Sequence, residues 1–126
     1  MSFYVIDTET TGFVKHGGKN EPIQIVAVLY RDGKEAEAHG LGVYFLPEGK
    51  ITKSAENIHG LSKKDLEERG AKRLDTEWVN TLTDFLDKER DLPIVAHNAE
   101  YDRDDVLKPA YRKLGLLDTL PDEERW

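Results

Sequence analysis

Two carboxylates stand two residues apart, Asp7 and Glu9, where an apolar run gives way to small polar residues in FYVIDTETTG at positions 3–12. Phe3 to Ile6 are aromatic or β-branched and predict a buried strand that ends near the first acid. Side chains at i and i+2 of an extended chain share a face, so the two acids project together. Adjacent like charges repel, and a divalent cation between them relieves the repulsion; oxygen-only ligands suit Mg²⁺ or Mn²⁺. The plainer alternative is a strand end carrying ordinary solvated acids. Thr10, Thr11 and Gly12 weigh against it, because small residues and a glycine let backbone N–H groups approach an anion, as a phosphate beside a metal requires.

A third acid follows a second apolar run. LPIVA at 92–96 predicts a strand that leads directly into His97, Asn98, Ala99, Glu100, Tyr101 and Asp102, with a helix from about Arg103. Asp102 then lies just beyond a strand end, on the opening turn of a helix. If the two strands are neighbours, Asp7, Glu9 and Asp102 converge. Phe13, one residue past the glycine, is placed either to wedge against a nucleobase or to tuck onto the core. His59 sits at a helix-end corner with Ile58 and Gly60, where capping is the economical role and lining a pocket the alternative. His16 reads as a solvated loop histidine.

The remaining elements must hold these groups. Pro22 to Tyr30, nearly all apolar, predicts a central strand. Asp-Gly within RDGK at 31–34 is a hairpin signal, and Ala36 to Leu46 supplies a third strand, so the first half forms an antiparallel meander. Thr52 or Ser54 caps a short helix through Ile58, stopped by His59 and Gly60. Ser62 opens a capping-box-like S-K-K-D, and Gly70 ends that helix. Asp75 or Thr76 caps a longer helix whose Trp78, Val79, Leu82, Phe85 and Leu86 form a core stripe. Beyond Arg103, Val106, Leu107, Ala110, Tyr111 and Leu114 face inward, with Gly115 as the stop. Pro109 lies inside this helix and predicts a kink or a late start. LLDTL at 116–120 begins a fifth strand.

A chain of 126 residues is expected to form one domain, residues 1–126, burying about 60–70% of its unfolded surface. There is no cysteine, which excludes disulfides and thiolate metal sites and suits a reducing compartment. No apolar run approaches the roughly 18 residues of a membrane span, and the first residues lack the basic start of a signal peptide, so a soluble, cytoplasmic protein with no membrane partner is expected. The net charge of −7 is uneven: residues 1–63 carry seven basic and eight acidic side chains, residues 64–126 eleven and seventeen. That balance argues against tight duplex coating but not against an enzyme acting on a strand end, where few phosphate contacts are needed.

With VIDTETTG at 5–12, VAHNAEYD at 95–102 and I-H-G-L at 58–61, the sequence resembles the DnaQ-like branch of the DEDD 3′–5′ exonucleases along nearly its whole length. The resemblance implies an α/β, ribonuclease-H-like fold, a mixed five-stranded sheet flanked by helices. It implies that Asp7, Glu9 and Asp102 are catalytic ligands of two divalent metals, Mg²⁺ or Mn²⁺. It also makes the backbone of Thr10, Thr11 and Gly12, with Phe13, a cradle for the terminal nucleotide, and gives His59 and Asn98 substrate contacts. The implied activity is hydrolysis at the 3′ end of single-stranded nucleic acid, DNA favoured.

One element of that family's pattern is missing. The DnaQ-like branch carries a third motif, H-x-x-x-x-D, whose histidine is the general base, on a helix beyond the fifth strand. His97 and Asp102 have the spacing, but they belong to the second motif; Asp118 is a substitute ligand only by conjecture. The expectation is therefore a domain lacking its C-terminal helices, with three origins open: a natural short form, a fragment, or one piece completed by another polypeptide. The DEER run before Trp126 reads as a cut through an element. Little activity is expected of the isolated chain, self-association through uncovered surface is a further expectation, and the rival function is an inactive exonuclease-like module that docks a protein or nucleic-acid partner.

Overall fold

The computed structural model describes residues 1–14, 17–40 and 42–126. His16 therefore lies outside the described residues. Strand β1 (Phe3–Thr10) buries Tyr4 and Ile6 on one face, as its alternation demands. It pairs antiparallel with β2 (Pro22–Arg31), whose buried positions fall on every second residue. Asp32 and Gly33 turn the chain with φ of 53° and 78°, the positive pair that a two-residue hairpin needs. Strand β3 (Lys34–His39) returns beside β2 and is exposed along most of its length.

The expected third strand continued to Leu46, and the structure shortens it. Gly40 and Gly42 take φ of 79° and 76°, which breaks the extended path. Tyr44 and Phe45 resume only as single bridges, to Gln24 and to Lys72. On the other side of β1, β4 (Ile94–Val95) is parallel to it, giving a four-stranded mixed sheet in the order β3-β2-β1-β4. β2 is interior, as its apolar sequence requires. The fifth strand expected at 116–120 is not formed: Leu117–Thr119 is a 3₁₀ turn whose Thr119 hydroxyl folds back to the Leu116 carbonyl. The α/β, mixed-sheet fold class stands, with four strands among the described residues rather than five.

Helices cover the sheet, and their starts follow the capping residues. Helix α1 (Lys53–His59) begins at Thr52, whose hydroxyl accepts from the Ala55 N–H, and ends at Gly60. Helix α2 (Lys63–Glu68) begins with a full capping box between Ser62 and Asp65. Helix α3 (Thr76–Asp87), capped by Asp75, buries Val79, Leu82, Phe85 and Leu86 against Tyr4, Ile6 and Leu29 of the sheet.

The last helical stretch differs most from expectation. Glu100–Leu107 forms a π-helix, and only then does helix α4 (Lys108–Lys113) begin, with Pro109 in its first turn. Proline has no N–H to give the turn before it, so the narrower α spiral starts late, where that donor would be unused anyway. Val106, Leu107 and Tyr111 are fully buried as expected, and the Tyr111 phenol shares a 2.8 Å hydrogen bond with the Thr83 hydroxyl inside the core. The final residues dock against the end of α3. Arg125 donates to the Leu86, Glu89 and Leu92 carbonyls at the end of α3, and the Trp126 indole donates to the Pro121 carbonyl.

Candidate active site

The parallel pairing of β4 with β1 is the step that assembles the site. β4 matches Tyr4 and Val5 and then stops, whereas β1 runs on to Thr10. The chain leaving β4 therefore passes along the exposed edge of the second half of β1, bringing His97, Asn98, Tyr101 and Asp102 beside Asp7 to Thr10. These residues line one cleft of about 450 Å³ together with Gly12, Phe13, Ser54, Ala55, Ile58 and His59. Asp7 and Glu9 share it with Asp102, which lies more than ninety positions further along the chain.

Their environments differ. Asp7 is exposed, Glu9 half-buried, and Asp102 only 5% exposed. Burial pushes the Glu9 carboxyl above the usual carboxylate range; Asp7 and Asp102 add to the rise, and His59 opposes it. Burial likewise raises Asp102, with Asp7 adding, while the Thr8 hydroxyl, the Asn98 backbone and His97 pull it back. The acids thus repel one another across the cleft. A hard, all-oxygen donor set under like-charge strain fits a small divalent cation. The carboxylates are set apart rather than closed on a point: among the described residues, no three acidic or histidine side chains stand close enough to hold one ion.

Gly12 has a packing role. Its φ is 119°, and a Cβ there would come 2.3 Å from the Thr52 hydroxyl oxygen. The expected N–H cradle is also spoken for. The Thr11 N–H donates to the Glu21 carbonyl and the Gly12 N–H to the Thr10 hydroxyl oxygen. Thr11 is wholly buried, accepts from the Glu21 N–H through its hydroxyl and from the Thr52 N–H through its carbonyl, and does not line the cleft. Thr10, Gly12 and Phe13 do line it. Phe13 is 42% exposed and meets the Tyr101 ring edge-on at 4.9 Å.

His59 serves the scaffold at the cleft wall. Its Nδ1 accepts from the Leu61 N–H and its Nε2 donates to the Thr10 carbonyl, both at 3.1 Å, so the ring staples the end of α1 to the end of β1. Asn98 is exposed; its side-chain oxygen accepts from the Tyr101 N–H and its carbonyl from the Asp102 N–H, which fixes the first turn of the π-helix. Asp118 is exposed and does not line the cleft.

Sequence reasoning passed over several neighbours. Thr8, between the two acids, donates to Asp102 at 2.6 Å. The Tyr101 phenol shares a hydrogen bond with Thr10 and donates to the Asn20 side chain, tying β1 to the π-helix. Ile58 sits at the cleft 77% exposed, an apolar side chain that the core does not use. Thr8 and Tyr101 lie inside the two acidic motifs, so their positions were the available signal; Ile58 stands in the helix-end corner for which lining a pocket was the alternative reading.

No curated protein sequence matches the chain. Among solved structures, it is similar to exonuclease X in complex with 5′-overhanging duplex DNA, with 22% identity and a TM-score of 0.57. The similarity covers 88% of this chain, which spans 63% of the length of that one, and at this identity it speaks for the fold, the ribonuclease-H-like α/β architecture. The RNase T family of exonucleases matches residues 4–120, a span that contains all three acids and, but for Phe3, the four described strands. Exonuclease domains of this family generally use divalent metals, and by that match the chain belongs to the RNase T exonuclease family, within the DnaQ-like superfamily.

Proposed function

We propose that residues 1–126 form a metal-dependent 3′–5′ exonuclease domain that hydrolyses phosphodiesters at the 3′ ends of single-stranded nucleic acid, with Asp7, Glu9 and Asp102 as the Mg²⁺ or Mn²⁺ ligands. The observation that carries this is the meeting of the three acids in one cleft, where each of the two more buried ones is raised in part by its acidic neighbours. Asp7, Glu9 and Asp102 would hold divalent cations, which when bound would supply an activated water and stabilise the departing oxygen. The chain's own residues do the rest. Asp7 and Glu9 present oxygens from one strand face, and Asp102 presents its own from the π-helix. Phe13 and Ile58 give the cleft exposed apolar surface on which a terminal base can rest. DNA is the favoured substrate, in keeping with the DNA-bound similar structure.

The general base is the weak part of the constellation. His59 has both ring nitrogens engaged, and His97 stands in the second acidic motif. A missing base costs about 10²–10⁴-fold in rate, so activity of the isolated chain is low unless another polypeptide supplies one. β4 ends the sheet with Val95 47% exposed, an edge suited to such a polypeptide or to a second copy. The separation of the three carboxylates favours a second reading, an inactive module that docks a partner through the same cleft.

Labelled single-stranded DNA incubated with Mn²⁺ tests the proposal. Slow release of mononucleotides, abolished by Asp7→Ala or Asp102→Ala, is the expected result. Absence of both cleavage and Asp102-dependent Mn²⁺ binding leaves the docking module.

A further inference from the structure

We infer that a second cavity, adjoining the acidic cleft, receives the phosphate backbone of the strand whose 3′ end the cleft takes, with Arg73 and Lys113 as phosphate contacts and Glu48 as a built-in competitor for them; the choice of occupant rests on the function proposed above. The cavity, about 600 Å³, lies between the start of β2, the 46–49 loop and α4. It meets the cleft at Asn20. That residue lines the cavity while its side-chain oxygen accepts from the cleft-lining Tyr101 hydroxyl and its N–H donates to the Gly12 carbonyl. A strand that leaves the cleft past Tyr101 runs into it.

Its charge is what a polyanion requires. The chain as a whole carries −7, which repels nucleic acid at long range, yet this wall gathers Lys19, Arg73 and Lys113. Two of them already close on an oxyanion: the Glu48 carboxylate takes Arg73 on one oxygen at 3.0 Å and Lys113 on the other at 2.5 Å. Lys113 above all, then Arg73 and Lys19, hold that carboxyl below the usual carboxylate range. Glu48 is kept there by Glu21, whose two oxygens accept the Glu48 and Gly49 N–H groups at 2.7 Å each. The cations are thus preset around one bridging anion. Arg73 and Lys113 remain 63% and 64% exposed, open to replacement of the carboxylate by a phosphate. The rest of the lining is mostly aliphatic, with Pro22, Leu46, Pro47 and Pro109 and, among the described residues, no aromatic ring. Such a wall tracks a backbone and is indifferent to base identity, because the bases of single strands are held by stacking on rings.

The test is fluorescence anisotropy of a labelled DNA strand of roughly twelve nucleotides, a length that a single-strand groove spans, on the whole chain without divalent metal and across a salt series. Each phosphate contact on a single strand contributes about 0.7 to the slope of log affinity against log salt. Arg73→Gln with Lys113→Gln should lower the slope by about 1.4 and weaken binding about tenfold in about 50 mM salt, equally for mixed and homopolymeric sequences. Glu48→Gln should tighten binding about two- to fivefold, the scale of an exposed ion pair; a side chain that only held the loop would produce no gain. Thermal midpoints check that each variant is folded. A double variant with the wild-type slope, or a Glu48→Gln chain that binds no tighter, overturns the inference, and Asp7-dependent cleavage with Mn²⁺ then leaves the exonuclease reading standing. Displacement of the strand by millimolar inorganic phosphate at constant ionic strength marks a free-anion site and overturns the strand as occupant. Binding that follows Arg73, Lys113 and Glu48 with no Asp7-dependent cleavage upholds the groove and overturns the catalytic reading.

Discussion

Replacing Gly12 by alanine isolates a constraint that the structure places beside the acidic cleft. The new Cβ enters a backbone at φ 119° and comes 2.3 Å from the Thr52 hydroxyl oxygen. Sparsely populated backbone conformations cost about 1–3 kcal/mol for a residue with a side chain. The collision also displaces the Thr52 hydroxyl from the Ala55 N–H it caps, and losing such a cap costs about 0.5–2 kcal/mol. Together Gly12→Ala should lower stability by about 2–4 kcal/mol, a large share of the roughly 5–15 kcal/mol typical of a domain. Urea unfolding followed by circular dichroism, with an unchanged denaturant slope, measures it. Thr52→Gly removes the colliding atoms while glycine remains a tolerable cap, costing only a few tenths of a kcal/mol by itself. The double variant should therefore recover about 1–2 kcal/mol relative to the sum of the singles, since contacting residues couple by amounts of that order. Additivity within about 0.5 kcal/mol would refute the steric account. So would a Gly12→Ala chain as stable as the wild type that fails only in nucleotide binding, because that pattern belongs to a glycine kept for an anion.

The raised carboxyls make the site a source of instability at neutral pH. With folded values above the unfolded ones, Glu9 and Asp102 contribute most favourably below the unfolded carboxylate range, and that contribution is lost as pH rises through their folded values. Thermal midpoints between pH 4 and 7 should accordingly decline less in the Glu9→Gln, Asp102→Asn double variant than in the wild type, and Mn²⁺ should flatten the wild-type curve. His59→Ala removes the staple between α1 and β1 and leaves the Thr10 carbonyl without its donor; a loss of about 1–3 kcal/mol is expected in urea unfolding. Tyr111→Phe strands the buried Thr83 hydroxyl at a similar cost of about 1–3 kcal/mol. The phenol itself, pushed up to about 12 by burial, should be absent from an ultraviolet tyrosine titration until strongly alkaline pH. Arg125→Ala uncaps three carbonyls after α3 and should cost about 1–3 kcal/mol.

The parts of this molecule that were legible in its sequence are those governed by neighbouring residues. Thr52, Ser62 and Asp75 cap helices because a hydroxyl or carboxylate there reaches an N–H two or three positions on, and that distance is written in the chain. Asp32 and Gly33 turn the hairpin for an equally local reason. The three acids share a cleft because strand ends and helix starts come together when strands pair, which pattern alone implies. What escaped was decided at longer range. The N–H groups of Thr11 and Gly12 were open to an anion until folding supplied the Glu21 carbonyl and the Thr10 hydroxyl. His59 had capping as its economical reading, but its bond to the Thr10 carbonyl, which ties α1 to β1, depends on a residue 49 positions away. LLDTL has the composition of a strand, yet Leu117 to Thr119 form a 3₁₀ turn that carries Leu120 into the core.

The π-helix carries a consequence for how this domain tolerates change. Its wider turns hold more residues than the 3.6 of an α-helix, so the stretch from Glu100 to Leu107 stores slack between an acid that must face the cleft and a helix α4 that must keep Tyr111 in the core. Deleting a single residue between Asp102 and Val106 would let the coil rewind, and each residue lost swings one end against the other by about 100°. Chemistry and packing here are geared together by one segment of loosely wound backbone, and shortening it forces the molecule to give up one or the other.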